Sequence, residues 1–242
     1  MRGLLIRKVG FLAIFFAGLC LYVSNDVRAE MDDDPVLTTI ILDQLEVRDL
    51  GGDNGLFWDV QGWLGKDLRK LWFKTDGERN TRGGNETELQ LLYSKAIARY
   101  WDIQFGVRHD FDSATNRSWA AIGVKGLAPY FFDIDAVAFI GESGRAAVRF
   151  EIEYEMRLTQ RLILTPDIEI NLHAQDDREV GVGSGLSDLD AGLRLRYEIR
   201  HEFAPYIGIS WTKLFGETAD FARTAGEDVS AAQLMIGIRA RF

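Results

Sequence analysis

Between Arg145 and His173, one set of alternate positions is charged or polar apart from Ala147: Arg145, Arg149, Glu151, Glu153, Glu155 and Arg157, then, after a break, Asp167, Glu169, Asn171 and His173. Asp133 and Asp135 repeat the spacing just upstream. Carboxylate oxygens beside an imidazole are donors for a cation. Glu151, Glu153, Asp167, Glu169, Asp135 and His173 are therefore the candidate metal ligands. His173 leads them, because Asp176 and Asp177 follow it closely. Met235 adds a thioether, a donor for softer ions, although core filling is the commoner role of such a residue. The same spacing has a plainer use as an ion-pair network filling a narrow pore, with Arg149, Arg157, Arg194 and Arg196 neutralising the acids.

Other chemistries find less support. Ser113 and Ser118 lie near His109 in sequence, as a lipid hydrolase would need, but no third member or hydrolase motif accompanies them. His201 sits in a turn and reads as surface. The Gly-Val-Gly-Ser-Gly run at 181–185 follows a strand but precedes no helix, so it reads as an external loop and not as a phosphate cradle.

A period of two means strands, since successive side chains point to opposite faces. The residues interleaved with the charges are apolar: Ala146, Val148, Phe150, Ile152, Tyr154, Met156 and Leu158, then Leu162, Leu164, Ile168, Ile170 and Leu172. For Leu158 and Leu162 to share a face, the loop between these arms must hold an odd number of residues, which points to Thr159, Gln160 and Arg161. Each arm is long enough for the roughly 9–11 residues that cross a bilayer at a tilt.

Twelve such segments are expected, near 41–49, 55–65, 68–76, 86–97, 101–111, 118–127, 130–140, 145–158, 161–173, 188–199, 206–215 and 231–242. Longer connections rich in Gly, Asp, Asn and Arg alternate with short turns, as in outer-membrane barrels. Tyr100, Trp101, Tyr130, Phe131, Phe203 and Tyr206 gather at the short-turn end, with Trp58, Trp119 and Trp211 nearer the other. These rings suit a membrane interface. The expected fold is all-β, a transmembrane antiparallel up-and-down barrel of about twelve strands. A soluble β-sandwich or lipocalin-like barrel also alternates, but its interior is apolar, not densely charged.

The N-terminus reads as a secretory signal over 1–29: Arg2, Arg7 and Lys8, an apolar run over 9–23, then small residues before Glu30. Cleavage there would move the formal net charge from −9 to −12 and remove Cys20, leaving no disulfide or thiol chemistry. A short acidic periplasmic segment, 30–40, would precede a barrel over 41–242. An acidic barrel is a poor nucleic-acid binder and a plausible host for cations.

The closing strand ends in Phe242, and several runs carry a wider likeness. They are Asp59-Val-Gln-Gly-Trp-Leu-Gly-Lys-Asp67, Gly106-Val-Arg-His-Asp110, Gly126-Leu-Ala-Pro-Tyr130 and Leu158-Thr-Gln-Arg-Leu-Ile-Leu164. Further on come Gly192-Leu-Arg-Leu-Arg-Tyr-Glu-Ile199, Phe203-Ala-Pro-Tyr-Ile-Gly208 and Phe215-Gly-Glu-Thr-Ala-Asp220. In this order and spacing the chain resembles the copper resistance protein B family of outer-membrane proteins. The resemblance implies a non-enzymatic role in a Gram-negative outer membrane, amid lipid, in which copper ions are bound or conducted. A periplasmic multicopper oxidase is the partner it implies. Family members often carry a Met- and His-rich N-terminal segment; here Glu30-Met-Asp-Asp-Asp-Pro35 holds one methionine, so copper would be met by the barrel or a partner. A small channel without metal preference is the alternative, and a lipid hydrolase the more remote one.

Overall fold

The structure is a computed structural model and describes residues 35–49, 54–80, 85–112 and 115–242. The expected signal peptide lies outside the described residues. Strands β1 (Leu37–Asp49), β2 (Asn54–Lys66), β3 (Arg69–Asn80), β4 (Asn85–Ala98), β5 (Trp101–Asp112), β6 (Asn116–Ala128) and β7 (Phe132–Gly141) follow in order. Then come β8 (Ala146–Tyr154), β9 (Met156–Arg157), β10 (Leu162–His173), β11 (Gly185–Tyr197), β12 (Phe203–Leu214) and β13 (Ser230–Arg241). Each pairs antiparallel with its neighbours, and β1 pairs with β13 to close the sheet. β8 and β9 are one stave in unbroken register with β10, interrupted near Pro166, which has no N–H to give a ladder. The result is a closed barrel of twelve staves with no free edge. At the seam, the Phe242 N–H donates to the Ile40 carbonyl at 2.8 Å and the Ile40 N–H donates back to Phe242 at 2.9 Å.

The alternation expected from sequence sorts the two faces. Leu234, Ile236, Ile207, Val107, Ile122 and Ile140 are among the many apolar side chains exposed on the outside. Such a belt suits lipid, where a closed sheet also satisfies every backbone group internally. The hairpin loop at Thr159–Arg161 is as expected: the Leu158 N–H donates to the Leu162 carbonyl at 2.9 Å. The strand start differs, β1 beginning at Leu37 and not near 41.

Four local features depart from the expected pattern. Trp119 and Tyr206 are buried inside the barrel, 8% and 4% exposed, so neither belongs to an interface girdle. Trp63 and Trp72, in two staves where aromatics fall on both faces, pack inward with ring centroids 6.3 Å apart. The long connection after β12 contains a helix, α1 (Gly216–Ala225), ended by Gly226 at φ 79°. The 174–184 connection is built: Asp177 and Val182 form a bridge, and the Gly183 N–H donates to Thr218 Oγ1 of α1 at 2.9 Å.

Candidate functional site

Inside the barrel an apolar wedge of Trp72, Leu92, Trp119, Ala121, Val137, Phe139 and Ala147 fills one side. Beside it lies a cavity of about 620 Å³ whose wall carries sixteen carboxyl side chains against eight Lys and Arg. The register between strands determines how those acids stand. Asp59 on β2 lies directly opposite Asp76 on β3, Asp76 opposite Glu88 on β4, and Glu88 opposite Asp110 on β5. On the other wall Asp135, Glu151, Glu169 and Asp190 form a second row across β7, β8, β10 and β11. Asp133, Glu153 and Asp167 form a third. Like charges directly opposite each other on an antiparallel ladder are destabilising. Three such rows in one lumen therefore need cations set among them.

Part of this charge is matched. Glu88 meets Arg108 at 2.8 Å and Arg149 at 3.0 Å, and both guanidiniums stand over the Phe139 ring, at 4.6 and 5.9 Å from its centroid. Arg149 also reaches Glu169 at 3.3 Å. Glu46, 1% exposed, accepts from Arg48 at 2.6 Å and from the Tyr206 hydroxyl at 2.8 Å, with Arg194 at 3.4 Å. Arg194 reaches on to Asp167 at 2.5 Å, and Gly192 makes that possible: a Cβ there would lie 2.4 Å from Asp167 Oδ1. Asp135 accepts from Lys74 at 2.7 Å and lies 3.4 Å from Lys125. Lower down, Glu155 pairs with Arg196 at 2.7 Å and Arg239 at 2.8 Å. Of the arginines expected to neutralise the lumen, Arg149, Arg194 and Arg196 do so, while Arg157 is exposed at the turn end.

The rest is matched only at longer range. Asp59, Asp76, Asp133, Glu151 and Glu153 line the same cavity, with Lys74 and Lys125 nearest Asp59, Arg149 and Arg108 nearest Asp76, Arg149 and Lys74 nearest Glu151, and Arg239 nearest Glu153 among the cations that act on them. A β-bulge adds one further acid. Register slips between Leu42 and Gln44, so consecutive residues Asp43 and Gln44 both face the lumen. Asp43 accepts from Gln61 and from Arg239, and Gln44 accepts from Arg194 at 2.9 Å. Strict alternation hides this pair; only the pairing of β1 with two neighbours reveals it.

The candidate ligands fall as follows. Glu151, Glu153, Asp167, Glu169, Asp135 and His173 all line the cavity. His173 stands toward the outer rim, with Nδ1 3.1 Å from Ser187 Oγ. Its two acidic neighbours are engaged by other partners: Asp176 accepts from the Ser184 N–H at 2.6 Å, and Asp177 is clamped by Arg117 at 3.0 Å and Arg145 at 2.9 Å. Burial raises the Asp177 carboxyl, but the Arg117 hydrogen bonds and charge, and then Arg145, outweigh it and hold the group below the usual carboxylate range. Met235 is sealed in the wall at 1% exposure, packed toward Gly208 and away from the cavity lining. Among the described residues, no three His, Cys, Asp or Glu side chains converge to hold a bare metal ion. His109 lies on the outward face, Nδ1 2.9 Å from Ser118 Oγ and its ring against Phe111.

A closed twelve-stave barrel with an outward apolar belt and a charged lumen has the architecture of an outer-membrane β-barrel. It is similar in fold to the NanC porin (TM-score 0.57, 12% identity, 84% of this chain and 99% of that one) and the KdgM porin (0.50, 10%, 85% and 99%). The family model described as Copper resistance protein B precursor (CopB) matches residues 36–242. Copper resistance protein B of Escherichia coli is 44% identical over 210 residues, covering 87% of this chain and 71% of the relative. A homologue from Pseudomonas syringae pv. tomato is 41% identical over 213 residues, 88% and 72%. The chain belongs to the copper resistance protein B family. It resides in the outer membrane and serves copper resistance there.

Proposed function

We propose that this barrel lets copper ions pass through its acidic lumen, with no catalytic step. The observation that carries the reading is the two-to-one excess of carboxylates over cations on one continuous cavity wall, arranged in like-charge rows. A negative lumen with low-dielectric walls concentrates cations and repels anions. Glu151, Glu153, Asp167, Glu169 and Asp135 lie along the path and His173 marks its outer end. Copper is cargo here, and the lack of a converging ligand set among the described residues favours passage over tight retention. A periplasmic multicopper oxidase is the proposed partner at the inner end.

Neutralising Glu151, Glu153, Asp167 and Glu169 together (Glu→Gln, Asp→Asn) is expected to lower the copper tolerance of a Gram-negative host that relies on this protein, with barrel assembly retained. Assembly is followed by heat-modifiable migration on gels. Unchanged tolerance in an assembled variant contradicts the reading. A channel without metal preference would instead show ion conductance with no copper phenotype.

A further inference from the structure

We propose that the lumen is gated at its inner end by Arg239, which crosses the floor of the cavity to Glu155 when the path is closed and keeps only Asp43, on the neighbouring stave, when it opens. This rests on the reading of the lumen as a cation path and supplies the moving part that such a path needs.

The cavity does not run the length of the barrel. Its wall extends from Arg117, Arg145 and Asp177 at the outer rim down to Asp133, Glu153 and Arg239. Toward the inner end, inward-facing side chains close on one another. Ser94, Gln104, Ile163, Thr165, Arg196 and Tyr206 are all at most 6% exposed, and none belongs to the cavity wall. An ion that reaches the floor therefore needs side chains to move before it can leave by that end.

Glu155 and Arg239 meet at that floor. Glu155 lies on the stave formed by β8 and β9, and Arg239 on β13, four staves further round a barrel of twelve. Side chains a third of the circumference apart can meet only across the lumen, and these do, at 2.8 Å. Arg196 on β11 holds the same carboxylate at 2.7 Å. Arg239 has a second partner on the adjoining stave, Asp43 of β1, at 2.9 Å. One guanidinium is thus shared between a carboxylate across the lumen and one beside it. Letting go of Glu155 leaves Arg239 paired with Asp43 and Glu155 paired with Arg196, so the crossing can be undone without stranding a charge.

Two observations make the Glu155 contact the one that gives. The Glu155 side chain is 38% exposed against 15% for Asp43, so water screens that pair more strongly. Glu155 also sits in the gap between β8 and β9, where Pro166 has no N–H to give the ladder, so its backbone is tied less than that of its neighbours. A cation arriving beside Glu153 on the cavity wall repels the guanidinium from the floor.

The test records single channels of the refolded full chain in a planar bilayer under symmetrical potassium chloride, reading the fraction of time open separately from the current when open. Neutralising a lumen acid alters the open current whatever its role; a gate alters the open fraction. The unaltered barrel is expected to switch between closed and open levels. Glu155→Gln should raise the ratio of open to closed time about fivefold, and Asp43→Asn should lower it by about the same factor. Arg239→Gln, which removes the crossing side chain itself, should stay open, and it carries the same expectation if Glu155→Gln fails to assemble. An open fraction unmoved in these variants, or moved the same way by Glu155→Gln and Asp43→Asn, overturns the gate and leaves copper passage standing. No current from the unaltered barrel or from any assembled variant overturns the gate and the passage reading together.

Discussion

Glu46 shows how a charge is kept inside this wall: at 1% exposure it is met by Arg48, Arg194 and the Tyr206 hydroxyl. Removing the hydroxyl with Tyr206→Phe deletes one hydrogen bond to a charged acceptor and leaves two arginines in place. The expected cost is about 1.5 kcal/mol, read as a lowered denaturant midpoint of the refolded barrel. At the outer rim, Asp177 fastens the 174–184 connection to Arg117 and Arg145. Its carboxyl is depressed in the fold, so the clamp is fully formed above the ordinary carboxylate range and is lost as pH falls through the folded value. Protease resistance of this connection should therefore be the same at pH 7 and pH 5 and fall only below about pH 4. Asp177→Asn should be cleaved faster at both higher values. The acids Glu151, Glu153, Asp167 and Glu169 were legible from their period of two, because lumen position follows from phase alone. Asp59, Asp76 and Asp43 were not. The first two owe their meaning to the strands beside them, and the third to a bulge that alternation cannot show.

The staves themselves are written plainly in the chain, since long alternation, turn residues and strand length agree. The three-residue loop at Thr159–Arg161 followed from phase, and the twelve-stave count from the spacing of the segments. The helix α1 escaped notice because its sequence, Gly-Glu-Thr-Ala-Asp-Phe-Ala-Arg-Thr-Ala, is ten residues set in a stretch of turn-forming composition. It is held by its contacts with β11 and the 174–184 connection more than by propensity. Trp119 and Tyr206 mislead for a related reason: an aromatic near a strand end reads as a girdle residue unless its phase is counted. Closure depends on small residues as much as on large ones. Gly237 on β13 lies under the Tyr206 ring, where a Cβ would sit 2.5 Å from the ring and 2.8 Å from Glu46 Cβ. Gly237→Val is expected to destabilise the barrel by about 3 kcal/mol, or to stop assembly, as judged by denaturant titration and heat-modifiable migration.

On the scale of the whole molecule, the fold and the cargo make opposite demands on the interior. Stability would favour alternating charge across each ladder, and the apolar wedge with the Glu46 and Glu88 networks meets that demand on part of the wall. The acids of the three rows that no lysine or arginine meets directly do not, and the excess they leave is a property of the assembled lumen, not of any one residue. If the lumen passes cations, its selectivity is set by that excess. The measurement that bears most directly on this is the reversal potential of the reconstituted barrel in a planar bilayer under a potassium chloride gradient. A potential of the sign set by potassium is predicted, shrinking toward zero when Asp59, Asp76, Glu151 and Glu153 are neutralised. A potential of the sign set by chloride, or one unchanged by those substitutions, would contradict the account.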